Sequence, residues 1–195
     1  MTSVNLSTVK QRTPSTTRLA ALLILAGALA LPLVVDSAMI GDFSYFLLWT
    51  FCAIGLAAMW GHGGILSFGQ TAFFGLAGYT YGVMTLNFGD GVLSTWSGLV
   101  MALLVAAAVA AALGYLMFYG GVTGIFIGIV TLSFTLVLET FMSQTAGPQW
   151  AIGSARLNGF NGMSGMPPLS LPWFGGELLT LEGNAFYYLI IVLLA

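Results

Sequence analysis

The chain has 195 residues, and only ten are charged, four Lys+Arg against six Asp+Glu. That is 5%, where a soluble globular protein carries about 25%, and 58% of the residues are hydrophobic. So few charges cannot cover a body of this size in water, which excludes a soluble enzyme and a disordered chain and leaves the bilayer as solvent.

Residues 1–18 are polar and Ser/Thr-rich, carry Lys10, Arg12 and Arg18, and read as a cytoplasmic tail by the positive-inside rule. Gathering three of the four basic residues there also speaks against a nucleic-acid partner. The apolar run 19–35 reads as a first, retained membrane helix, with a signal peptide as the alternative. Residues 36–44 (DSAMIGDFS) form a short polar link, and a second span is expected over about 45–60. Gly61-His62-Gly63-Gly64 follows and reads as a loop. A Gly-punctuated third run covers 65–86, a turn lies at 87–95, and a fourth span covers about 96–118. Tyr119-Gly120-Gly121 breaks it, and a fifth span is expected at about 122–143. Residues 144–184, with Pro148, Pro167, Pro168 and Pro172 and eight glycines, are too interrupted to span and read as a long external segment. Alternation from a cytoplasmic tail puts 61–64 and 119–121 inside, and 36–44, 87–95 and 144–184 outside. The last run, 185–195, is eleven residues, about 17 Å of helix against a core of ~30 Å. The expectation is therefore an all-α, polytopic transmembrane bundle with one broken, Gly-rich helix. It would have about five spans plus the start of a sixth and be truncated at its C-terminus, with a tail at 1–18 and a membrane domain over 19–195.

Little in the chain can do covalent chemistry. The sole lysine, Lys10, precedes Gln11, so no G-x-x-x-x-G-K-[ST] phosphate loop exists. One histidine, His62, and one cysteine, Cys52, make no metal set, and no cofactor is expected. His62 reads as an interfacial loop residue.

Segment 61–82 is the most informative. Glycines stand at 61, 63, 64, 69, 75, 78 and 82, and Ser67, Gln70 and Thr71 interrupt an apolar run. Non-helical backbone at membrane depth must be buried in protein or line a cavity, as the broken helices of transporters do. Ser67, Gln70, Thr71, Phe73 and Tyr79 are accordingly candidates for a solute pathway. Close helix packing through Gly78 and Gly82 is the other reading, and both stay open. In the fifth run Gly124, Gly128, Thr131, Thr135, Glu139 and Met142 fall within a sector of about 80° at 100° per residue. Gly120, Gly124 and Gly128 form a packing stripe, which Thr131, Thr135 and Glu139 continue as a polar stripe of pathway candidates. Interfacial placement is the alternative for Glu139.

The stretch Gly61-His62-Gly63-Gly64-Ile65-Leu66-Ser67-Phe68-Gly69-Gln70-Thr71-Ala72-Phe73-Phe74-Gly75-Leu76-Ala77-Gly78-Tyr79 resembles a signature of permease subunits of branched-chain amino acid ABC importers, a family that includes urea and amide relatives. Two further stretches resemble the same family, Thr123-Gly124-Ile125-Phe126-Ile127-Gly128-Ile129-Val130-Thr131-Leu132-Ser133-Phe134 and Asn161-Gly162-Met163-Ser164-Gly165-Met166-Pro167. The resemblance covers about 60–167. It implies a LivM-like permease of the bacterial inner membrane. Its partners would be a homologous second permease, two cytoplasmic ATPases and a periplasmic solute-binding protein. The chain departs from the family pattern at Tyr119-Gly120-Gly121-Val122-Thr123, where the family usually has Lys or Arg. It also lacks the later Arg- and Glu-rich segment that docks on the ATPase, which would place the coupling element beyond Ala195. The competing expectations are a stand-alone secondary transporter or channel, which would need Glu139 as its intramembrane acid, and a non-transporting assembly subunit.

Overall fold

A computed structural model describes residues 15–89, 91–172 and 178–194; Lys10 and Arg12 of the expected tail, and the turn residue Asp90, lie outside them. Six helices follow in chain order: α1 (Ser15–Ala30), α2 (Ser37–Gly63), α3 (Gln70–Phe88), α4 (Val92–Tyr119), α5 (Ile125–Ser143) and α6 (Gly183–Leu194). Between α5 and α6 lie two small antiparallel hairpins, β1 (Ala151–Ile152) with β2 (Ala155–Arg156), and β3 (Ser170–Pro172) with β4 (Leu178–Thr180).

The expected five spans and start of a sixth are corrected. Among the described residues three helices are long and apolar enough to cross a membrane: Ser37–Gly63, Val92–Tyr119, and α5 with its terminal 3-10 turn, Ile125–Ala146. The run 19–35 falls short because α1 stops at Ala30 and Pro32, with no N–H to give, sits in the 3-10 turn Leu31–Leu33. The run 65–86 falls short because 64–69 is not helical, and α3 opens on Gln70-Thr71 and ends near Asn87, with three glycines between. The final helix, α6, has only 12 residues.

Two boundaries also move. Residues 36–44 are not a link: Asp36 is the N-cap of α2, and the helix runs on through Asp42. Nor does Gly61-His62-Gly63 form a loop. Helix α2 continues through Gly63 and stops at Gly64, whose φ of +64° suits a residue without Cβ.

α6 and α1 pack on the first half of α2, where Ile40, Tyr187 and Ile191 are buried. The Tyr187 hydroxyl donates to the Ala28 carbonyl at 2.8 Å, giving its polar tip a partner. α3 and α4 lie side by side; Gly98 permits this, since a Cβ there would come 3.1 Å from Thr85 Cγ2. Much apolar surface faces outward, including Ile125, Phe126, Ile129, Leu136 and Val137 of α5. That is the arrangement of a helix whose solvent on one side is lipid.

Candidate functional site

The site begins with a backbone problem. Between Gly64 and Gly69 the chain leaves helical geometry, so its N–H and C=O groups lose their intrahelical partners. α5 supplies replacements. Thr131 Oγ1 accepts from the Phe68 N–H at 3.0 Å and donates back to the Ile127 carbonyl at 2.9 Å. One turn on, Thr135 Oγ1 lies 3.0 Å from the Phe68 carbonyl and 3.0 Å from the Thr131 carbonyl, so its one proton is shared between them. Ser67 Oγ accepts from the Gly69 N–H at 3.3 Å. The close approach needs Gly128: a Cβ there would lie 3.3 Å from the Leu66 carbonyl oxygen and 3.4 Å from the Phe68 ring.

Beyond this junction α3 and α5 part, leaving a cleft of about 240 Å³. Thr71, Gly75 and Tyr79 line it from α3, spaced four apart on one face; Thr135, Glu139 and Met142 line it from α5. The two helices run in the same direction, Thr71 lying at the Thr135 end and Tyr79 at the other. The lining is mostly apolar, and Glu139 is its one charged side chain.

The eight pathway candidates thus separate by position. Thr71, Tyr79, Thr135 and Glu139 line the cleft. Ser67 and Thr131 are buried and serve the junction. Gln70 turns towards α2, donating to Met59 Sδ at 3.2 Å, and Phe73 packs on Phe134 with ring centroids 5.8 Å apart.

The five packing glycines separate too. Gly82 and Gly128 sit in close contacts, while a Cβ on Gly78 would meet nothing within 4 Å. Gly120 caps α4, where a Cβ would meet the Leu116 carbonyl of its own last turn. Gly124 precedes α5 at φ +59°, so its glycine answers to backbone conformation.

Residues 150–172 form a strap along the ends of α3 and α4. Asn87 Nδ2 donates to the Ile152 carbonyl at 2.8 Å, and Ser154 Oγ donates to the Leu86 carbonyl at 2.7 Å. Tyr81 donates to the Pro167 carbonyl at 2.9 Å, and Trp96 Nε1 to the Ser170 carbonyl at 3.0 Å. Met163 and Met166 press their sulphurs onto Gly82, where a Cβ would come within 2.8 Å and 2.7 Å of them. Tyr79 donates to the Leu157 and Gly159 carbonyls, 3.3 Å each. Sequence reasoning did not single out Tyr81, Asn87 or Trp96, because side-chain bonds to a distant irregular backbone leave no spacing to read.

The three sequence stretches are therefore brought together beside the cleft, which the first of them lines. The first opens against the second through Phe68 and Thr131, and Tyr81 and Gly82, just past its end, seat the third. A family model described as branched-chain amino acid transport system, permease component, matches residues 38–195. No curated protein and no solved structure matches the chain significantly.

Proposed function

The chain belongs to the permease-component family of branched-chain amino acid transport systems, and we propose that the cleft between α3 and α5 is part of its solute pathway. It is the membrane permease subunit of a binding-protein-dependent ABC importer, and as a permease component it is not itself an enzyme. Its cargo is a branched-chain amino acid or a related small solute such as urea or an amide.

One observation carries the pathway reading. A small cleft with apolar walls, two threonine hydroxyls and one carboxylate lies beside a backbone break whose polar groups are satisfied from the opposite helix. A hydroxyl- and carboxylate-bearing cleft in lipid is costly to keep, and broken helices mark binding sites in transporters. Glu139 and Tyr79 would meet the polar end of the solute, while Leu76, Leu138 and Met142 would meet its apolar part.

The finer assignment is the LivM-like type, supported by the order of the three signature stretches. The partners that follow are a homologous second permease, two cytoplasmic ATPases and a periplasmic solute-binding protein. The N-terminal tail is cytoplasmic in this reading. The segment 144–184 lies on the outer side in this reading, where a binding protein docks.

The test is Gly75→Phe in the complete importer reconstituted in proteoliposomes. Gly75 lines the cleft and a Cβ there meets nothing within 4 Å, so the added side chain starts into open space. Leucine uptake should fall about tenfold or more, with the melting temperature kept. Uptake at the wild-type rate would refute the pathway reading.

A further inference from the structure

Tyr79 belongs to both the cleft and the strap. Its ring lines the cleft, and its hydroxyl faces two strap carbonyls, those of Leu157 and Gly159, at 3.3 Å. A phenol has one proton to give, so these two long contacts are a single, weak, shared bond.

The flanks of the strap are held more firmly. On one side are the Asn87–Ile152 and Ser154–Leu86 bonds at 2.8 Å and 2.7 Å. On the other are the Tyr81–Pro167 and Trp96–Ser170 bonds at 2.9 Å and 3.0 Å. The turn 157–161 between them is tied to α3 by the longer, shared Tyr79 bond, while the Leu157 N–H holds the Trp150 carbonyl at 3.1 Å within the strap. Its backbone holds two consecutive residues at positive φ, Asn158 at +61° and Gly159 at +54°, and Gly162 follows directly at +69°. Gly159 presses on the end of the α5 segment, where a Cβ would come 2.8 Å from the Ala146 nitrogen. The turn thus bridges the gap between Tyr79 on α3 and the far end of α5, which is one end of the cleft.

We propose that Tyr79 is the latch of a gate, formed by the turn 157–161, that closes this end of the cleft, and that a solute carboxylate opens it by accepting the Tyr79 hydroxyl's hydrogen bond in place of the strap carbonyls. An ionised carboxylate is a stronger acceptor than a backbone carbonyl. A solute that binds there exchanges the latch bond for its own, which gives it the differential affinity for the open state that any ligand-driven change requires. The turn then moves on its positive-φ glycines while Asn87, Tyr81 and Trp96 hold the strap's ends. Tyr79 is a positioning residue in this scheme until solute arrives. The proposal rests on the cleft being in the solute pathway.

The experiment is hydrogen exchange on the complete importer in nanodiscs, with and without saturating leucine, for wild type and Tyr79→Phe. Phenylalanine keeps the ring and removes the proton. Exchange at 157–162 should rise about fivefold in Tyr79→Phe without leucine, the worth of one hydrogen bond, with 167–172 unchanged. Leucine should raise exchange at 157–162 in wild type and leave Tyr79→Phe unaltered, a dependence on the hydroxyl that a purely structural tyrosine would not produce. Equal exchange in the two proteins without leucine, no leucine effect in wild type, or the same leucine effect in both overturns the latch. The Gly75→Phe uptake assay judges the pathway reading separately, so the two failures are distinguishable.

Discussion

Phe68 and Thr131, 63 positions apart in the chain, are joined by a 3.0 Å hydrogen bond from the Phe68 amide to the threonine hydroxyl. The bond gives a donor freed by the break after α2 an acceptor on α5, and it fixes where α3 starts relative to α5. Both walls of the cleft take their position from this junction. A buried amide without it would cost the desolvation of the group, about 1–3 kcal/mol.

Thr131→Val keeps the side-chain shape and removes the acceptor. We expect a loss of about 1–3 kcal/mol, read as a lower unfolding midpoint in detergent or nanodiscs. Thr135→Val should cost less, because the Phe68 carbonyl loses only a shared proton. Since both hydroxyls serve one residue, the double variant should depart from additivity by about 0.5 kcal/mol or more, and strict additivity would show that they act independently.

At Gly82 the outcome depends on size. Gly82→Ala meets only the flexible ends of Met163 and Met166, which can shift. Gly82→Val cannot be accommodated this way and should lift the strap from α3. Limited proteolysis within 157–170 should be several-fold faster for valine than for alanine, and Met163→Ala in the valine background should slow it again.

Glu139→Gln tests the carboxylate in the cleft. Glutamine keeps volume and hydrogen bonding but removes the charge, so a solute ammonium loses its counter-ion. The KM for leucine uptake by the complete importer should rise about tenfold, the scale of one charge-assisted bond. A neutral amide should be much less affected, and equal effects on both solutes would place Glu139 outside the recognition of charge.

Tyr187→Phe probes the α1–α2–α6 corner. Losing the 2.8 Å bond to the Ala28 carbonyl should cost about 1 kcal/mol in unfolding stability. Leucine KM should stay at its wild-type value, because this corner does not line the cleft; a changed KM would connect the two regions.

Parts of this architecture were legible residue by residue. Glycine at 120–121 marked the end of α4, because a helix stop leaves a local trace. The spacing of Thr131, Thr135 and Glu139 placed them on one stripe of α5, because helical periodicity needs no tertiary knowledge. The number of crossings was not legible. Pro32 shortened the first run, and the polar ends of α3 outweighed its apolar middle, so counting charge-free gaps overestimated the spans. The strap escaped as well: Tyr81, Asn87 and Trp96 bind backbone carbonyls 65 to 86 positions away, and such bonds impose no local pattern.

By itself, the sequence determined the solvent. Ten charges in 195 residues leave too little polar surface for water, so the chain lives in a bilayer. The three stretches also determined the family, to which residues 38–195 belong. Only the tertiary structure decided what the polar residues do. Thr131 and Thr135 share a helix face with Glu139, yet packing turned Thr131 wholly to the Phe68 backbone, divided Thr135 between that backbone and the cleft, and left Glu139 to the cleft. Composition sums over the chain and so survives any fold. The partner of a hydroxyl depends on which backbone the fold brings within 3 Å of it, and no local pattern encodes that.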